Sequence, residues 1–141
     1  MNKTSVLFVC THNSARSQMA EGLLNHLYGD RHEAYSAGTE QTRVHPLAVD
    51  AMKRIGIDIS SHESKIVDRF GDRKFDIVIT VCDLARATCP FVPAKIKRLH
   101  WSLQDPSSAA GTKEQQLAVF ESVRDEIKKR IVEQFDPQGP R

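Results

Sequence analysis

The residues with the clearest chemistry lie near the N-terminus, in Val6-Leu7-Phe8-Val9-Cys10-Thr11-His12-Asn13-Ser14-Ala15-Arg16-Ser17. A cysteine stands where four apolar residues end, and an arginine follows after five intervening residues. The apolar run reads as a buried strand, and Met19, Ala20, Leu23, Leu24 and Leu27 recur at helical spacing beyond Arg16. A short polar loop over residues 11–16 therefore joins a strand to a helix. Its backbone N–H groups and the unpaired N–H groups of the helix start converge on one point and favour negative charge. A tetrahedral oxyanion fits such a cradle, lined by Thr11, His12, Asn13, Ser14, Ala15 and Ser17 and gripped bidentately by Arg16. The same positive potential favours the thiolate of Cys10, the nucleophilic form of the side chain. The competing reading is a buried structural cysteine beside a surface arginine. The Thr, His, Asn and Ser packed between the two favour the cradle.

Composition sets the outer limits. A chain of 141 residues is expected to form a single domain over 1–141, large enough to bury a core without staples. Hydrophobic residues make up 40% and charged residues 27%, ordinary values that argue against disorder. Net charge is +2, from 20 Lys and Arg against 18 Asp and Glu, so nothing points to nucleic acid as a main partner. No signal peptide or membrane span is expected, and with no long exposed apolar stripe in the pattern the simplest assembly is a monomer. Three cysteines is an odd number, and a reactive thiol needs a reducing compartment, which makes the cytoplasm the default location. No His or Cys grouping has metal-ligand spacing, so no metal site is expected.

Several elements must position the cradle. The first helix should stop near Gly29, with a short strand following at 33–36. Pro46 opens a second helix carrying Leu47, Met52 and Ile55, and Gly56 closes it. Ser60-Ser61-His62-Glu63 has a capping-box pattern and predicts a third helix to about Phe70. Residues 76–81 form the clearest interior strand, β-branched through its middle and ending at Cys82. Pro90 and Pro93 forbid a long helix after Asp83, and 96–101 can form a fourth strand. Thr112, with Gln115 at the box position, caps a last helix whose buried stripe is Phe120, Val123, Ile127 and Ile131. Residues 136–141 are expected to be a flexible tail. Strands alternating with helices give an α/β fold, a three-layer sandwich around a four-stranded parallel sheet of Rossmann-like type. Cys10, Cys82 and Asp105 then fall at or just past the carboxyl ends of strands, on the edge where such sheets bind ligands.

Those residues carry a resemblance. Over essentially its whole length the sequence resembles the low-molecular-weight tyrosine phosphatase superfamily, and within it the thioredoxin-coupled arsenate reductases. The phosphatase-like signature is Cys10 to Ser17 together with Asp105-Pro106, and the reductase signature is Cys82 and Cys89 within Val81-Cys82-Asp83-Leu84-Ala85-Arg86-Ala87-Thr88-Cys89-Pro90. Ser107 and Ser108 stand where phosphatases usually carry an aromatic clamp for phosphotyrosine, which favours the reductase. The resemblance implies that Cys10 attacks arsenate, for which phosphate or sulfate are mimics, while Asp105 in its protonated form donates to the departing oxygen. It further implies a transient Cys10–Cys82 disulfide as arsenite leaves, then a transient Cys82–Cys89 disulfide reduced by thioredoxin. Were 82–89 helical, its cysteines would lie about 10 Å apart along the axis. A disulfide needs Cα atoms within about 7 Å, so this segment is expected to loop out on oxidation.

The remaining site residues have roles of their own. Ser17 is expected to donate its hydroxyl to the Cys10 thiolate, Asn13 to fasten the loop, and His12 to contribute its N–H. Relatives with a potassium site use residues matching Asn13, Glu21 and Ser36 plus an aspartate at position 65. Here that position is Lys65, whose ammonium can pair with Glu21, so no potassium dependence is expected. Apart from thioredoxin as electron donor, no cofactor is implied. The alternatives are a low-molecular-weight protein tyrosine phosphatase and a non-catalytic redox or oxyanion sensor; glutaredoxin with glutathione, or mycothiol, is the alternative reductant.

Overall fold

The computed structural model describes residues 3–81 and 92–136. Four strands, β1 (Thr4–Val9), β2 (His32–Ala37), β3 (Phe75–Thr80) and β4 (Ala94–His100), form one sheet in the order β2-β1-β3-β4, parallel throughout. The helices are α1 (Arg16–Tyr28), α2 (Pro46–Lys53) and α3 (Lys113–Phe135). The expected α/β architecture with a four-stranded parallel sheet is therefore present. β1 runs beside β2 from Thr4↔His32 to Val9↔Ala37 and beside β3 from Val6↔Ile77 to Val9↔Thr80. The chain leaves β1 toward one side and returns on the other, so the change of direction falls at the carboxyl ends of β1 and β3. Cys10 begins its loop there, and the Val81 N–H donates to the Val9 carbonyl at 2.9 Å.

Strand alternation divides the core between the two faces of the sheet. Val6, Phe8, Ile77 and Ile79 point to the side of the helices, where they share a core with Met19, Leu23 and Leu24 of α1 and Phe120, Ile127 and Ile131 of α3. Leu7, Val9 and Val78 point the other way, with Phe75, Ala37 and the partly buried Tyr35, Val67, Phe70 and Val92. Trp101 is buried, its ring 5.9 Å from that of Phe8. At the start of α3 the capping box is complete: the Thr112 hydroxyl accepts from the Gln115 N–H, and the Gln115 side chain accepts from the Thr112 N–H.

One expected element is replaced. Residues 60–70 are not a helix; only Val67–Phe70 form a single 3-10 turn. The Ser60 N–H is taken by the Asp58 carboxylate at 2.8 Å. Beyond it, the Ser64 hydroxyl bonds to the His12 carbonyl at 3.1 Å and the Lys65 N–H to Asn13 Oδ1 at 2.7 Å. Gly38 pairs with the same segment through its N–H to the Lys65 carbonyl and its carbonyl from the Val67 N–H, both at 2.8 Å. Polar groups that would build a helical ladder are committed to the loop after β1 instead. β4 also begins at Ala94, earlier than its apolar pattern indicated, with a register shift between Phe75 and Ile77. Cys82, Cys89 and the tail beyond Asp136 lie outside the described residues. Among the described residues, no helix is long and apolar enough to cross a membrane.

Gly38 is required by close approach. A Cβ there would lie 2.5 Å from the Thr11 carbonyl oxygen and 2.7 Å from that of Cys10, both rigid backbone atoms. Gly38→Ala is therefore expected to destabilise the fold by about 2 kcal/mol. Urea unfolding measures this as a lower midpoint at unchanged slope.

Candidate functional site

The loop after β1 is held from outside by its carbonyls. The Thr11 carbonyl accepts from the N–H groups of Thr39 and Glu40 at 2.9 and 3.1 Å, and the His12 carbonyl from the hydroxyls of Thr42 and Ser64 at 2.9 and 3.1 Å. The Asn13 carbonyl accepts from Gln18 Nε2 at 3.2 Å, that of Ser14 from the His45 N–H at 3.0 Å, and that of Ala15 from the Met19 N–H at 2.9 Å. In a trans peptide the N–H opposes the preceding C=O. Carbonyls 11–15 turned outward therefore turn N–H groups 12–16 inward, to the concave side of the loop. Ala15, at the N-cap of α1, makes no side-chain cap, so the orphan N–H groups and positive end of the helix add to the same field.

Cys10 lies at the floor of this loop. Asn13 has φ of 50°, a left-handed conformation that asparagine tolerates, and its N–H donates to Cys10 Sγ at 3.2 Å. Its side-chain Nδ2 donates to Ser17 Oγ at 2.8 Å. Because that oxygen already accepts, the Ser17 hydroxyl hydrogen is free for Cys10 Sγ, 2.9 Å away. With the Ser17 hydroxyl turned to donate, the sulfur has two donors, an arrangement suited to a thiolate.

Arg16 and Asp105 close the rim. Arg16 is buried, its Nη1 donating to the Leu103 carbonyl at 3.2 Å and its Nη2 lying 3.8 Å from Asp105 Oδ2. Asp105 Oδ1 accepts from the N–H and the hydroxyl of Ser107, at 3.0 and 2.7 Å. Burial pushes the Asp105 carboxyl upward, but the two Ser107 hydrogen bonds, with Arg16 and His12 nearby, outweigh it and hold it below the usual range. At neutral pH without a ligand Asp105 is a carboxylate, whereas the resemblance implies a protonated donor. His12 is exposed and its Nε2 is 3.2 Å from Glu40 Oε2 at the mouth.

Sequence reasoning missed Gln18. Fully buried, its Nε2 donates to Asn13 Oδ1 at 3.0 Å and to the Glu63 carbonyl at 2.8 Å, besides the Asn13 carbonyl, while its Oε1 meets His62 Nδ1 at 3.1 Å. The only available signal was a long polar side chain among buried positions in the first turn of a helix.

Comparison with known proteins places this geometry in a family. The chain matches the low molecular weight phosphotyrosine protein phosphatase family over residues 5–136. It is 50% identical to an arsenate reductase of Halalkalibacterium halodurans over 131 residues, 93% of this chain and 94% of that protein. The chain belongs to the low molecular weight phosphotyrosine protein phosphatase family, in its arsenate reductase branch. Among solved structures it resembles an arsenate reductase in the phosphate-binding state, with TM-score 0.77 and 36% identity over 91% of this chain and 93% of that one. It also resembles a thioredoxin-dependent arsenate reductase of Corynebacterium glutamicum, with TM-score 0.63 and 30% identity over 92% of this chain and 62% of the other.

Glu21, Ser36 and Lys65, three of the positions for which the resemblance raised a potassium site, come together here. The Ser36 hydroxyl donates to Glu21 Oε1 at 2.7 Å, and Lys65 Nζ lies 3.9 Å from that same oxygen. Glu21 Oε2 is 3.4 Å from His62 Nδ1. With an ammonium where an anionic donor would complete the set, these residues do not fit a potassium ion. Among the described residues, no group of three or more His, Cys, Asp or Glu side chains could hold a metal.

Two predictions follow from the loop's supports. Ser17→Ala removes the hydroxyl beside Cys10 Sγ, and Cys10 alkylation by iodoacetamide at neutral pH should slow by about tenfold. His45 ties the loop to α2, since its Nδ1 accepts from the Leu47 N–H at 3.1 Å. Burial lowers its pKa, with Asp105 opposing that shift. The neutral ring is the form the fold prefers, so its contribution is full above the unfolded value of about 6.5 and is lost as pH falls through the lower folded value. Urea midpoints should drop on acidification through that window, and drop less in His45→Asn, which keeps a side-chain acceptor at the cap.

Proposed function

We propose that the chain reduces arsenate to arsenite with electrons from its own cysteines, which thioredoxin restores. The observation that carries this reading is Cys10 Sγ at the floor of the inward-facing N–H groups, with donors from Asn13 and Ser17. Arsenate would sit in the loop as a tetrahedral anion, its oxygens on N–H groups 12–16 and the Arg16 guanidinium. The Cys10 thiolate attacks arsenic and one hydroxyl leaves as water, forming a sulfur–arsenic(V) bond. The Cys82 thiolate then attacks Cys10 Sγ. The electron pair of the breaking S–As bond passes to arsenic, arsenite departs, and a Cys10–Cys82 disulfide remains. Cys89 attacks Cys82, frees Cys10 and leaves Cys82–Cys89 for a dithiol reductant.

Several points support the later steps. The Val81 N–H bonds to the Val9 carbonyl, and Val81 and Val9 directly precede Cys82 and Cys10 in the sequence. A relative is named thioredoxin-dependent, and another is described in a phosphate-binding state. Free thiols of this kind require a reducing compartment, which suits the cytoplasm.

The test is arsenate-dependent NADPH oxidation with thioredoxin and thioredoxin reductase. Steady turnover is expected in the unaltered protein and its loss in Cys89→Ser; turnover surviving in that variant would remove Cys89 from the relay. Because Lys65 already supplies a cation beside Glu21, the apparent KM for arsenate should be the same in potassium and sodium salts at equal ionic strength. A marked fall in KM with potassium would contradict that assignment.

A further inference from the structure

Asp105 and the serine after its proline form a unit whose consequence lies in substrate choice. Asp105 Oδ1 is saturated by the Ser107 N–H and hydroxyl, and Oδ2 looks toward the Arg16 guanidinium. The Ser108 hydroxyl holds the Asp105 carbonyl at 2.9 Å, fixing the turn. Neither carboxylate oxygen is well placed to carry a proton, since one faces two donors and the other a cation. Among the described residues, the charged or titratable groups facing Asp105 are Arg16 of α1, His12 of the loop and His45 ahead of α2. None of them is an anion that would favour protonation.

We infer that Ser107 is a specificity-determining positioning residue, whose hydroxyl keeps Asp105 an acceptor and so selects oxyanions that bring their own proton over phosphate monoesters. The chemistry separates the two substrates. Monoanionic arsenate carries two hydroxyl groups: as Cys10 Sγ bonds to arsenic, one leaves with the proton of the other. Water and a thiol-bound arsenate dianion result, with no proton drawn from the protein. A phosphate monoester above its second pKa of about 6 is a dianion whose leaving oxygen bears no proton. It needs one from Asp105 as the P–O bond breaks, and it must also approach a carboxylate of like charge. This inference extends the reading of the site as an arsenate reductase and rests on it for the favoured substrate.

The experiment measures p-nitrophenyl phosphate hydrolysis across pH, alongside thioredoxin-coupled arsenate reduction, in the unaltered chain, Ser107→Ala and Ser107→Thr. Ser107 is exposed, so its truncation leaves the core intact. Losing one hydrogen bond to a carboxylate should raise ester hydrolysis near neutral pH by about tenfold. The alkaline fall of the ester profile should move to higher pH, and the ratio of ester to arsenate activity should rise. Ser107→Thr, which keeps the hydroxyl, should return both to the original values. An unchanged ester rate and profile in Ser107→Ala would overturn the inference while leaving arsenate reduction standing. Absence of arsenate reduction in the unaltered chain would instead overturn the functional reading, and with it the substrate preference assigned to Ser107.

Discussion

The carbonyl groups of residues 11–15 all point away from the concave side of one short loop, and each has a donor waiting for it. Much of the surrounding architecture answers this constraint. Buried backbone carbonyls must be bonded, and a loop that turned them inward would repel an anion. The donors come from 39–45, from Ser64 and from α1, which explains why two long connections wrap the carboxyl end of the sheet. Gly38 lets β2 pass close behind the loop, and the reversal of strand order at β1 and β3 leaves a crevice open above it. The result is preorganised: N–H groups aimed before any ligand arrives need no reorganisation when charge develops there.

A second layer tunes the thiol. Gln18 fixes Asn13 from two sides, Asn13 fixes Ser17, and both donate toward Cys10 Sγ, either directly or by orienting a hydroxyl. Behind Gln18 lie His62 and the ion pair of Glu21 with Lys65. A lysine side chain there is covalently supplied and cannot be diluted away. On the opposite rim Arg16 is immobilised by Leu103 before it meets any oxyanion. Asp105 is likewise engaged by Ser107, so the rim enters the reaction with its charges already assigned.

Much of this was legible in the sequence because the chemistry is local. Cys10, Arg16 and the start of α1 sit within one strand–loop–helix unit, where hydrophobic period and residue type suffice to read the arrangement. The four strands and the box at Thr112 were readable for the same reason, and the Lys65–Glu21 pairing could be anticipated from the family pattern. What escaped was set by distant partners. The motif at residues 60–63 is a sound local cap, yet Ser64 and Lys65 find their partners in His12 and Asn13, 52 residues away. Gln18 reads as an ordinary helical residue until the loop folds over it. The ionised state of Asp105 depends on a hydroxyl two residues on, whose rotamer no pattern reveals.

The central claim is that the chain's own cysteines, beginning with Cys10, supply the electrons. The most direct measurement is arsenite released in a single turnover by fully reduced protein with every external thiol removed, with free thiols titrated in parallel. The account predicts arsenite stoichiometric with protein, two thiols lost per arsenite, and none of either from Cys10→Ser. Arsenite that forms only when an external thiol is added, with all cysteines of the chain still reduced, would contradict it.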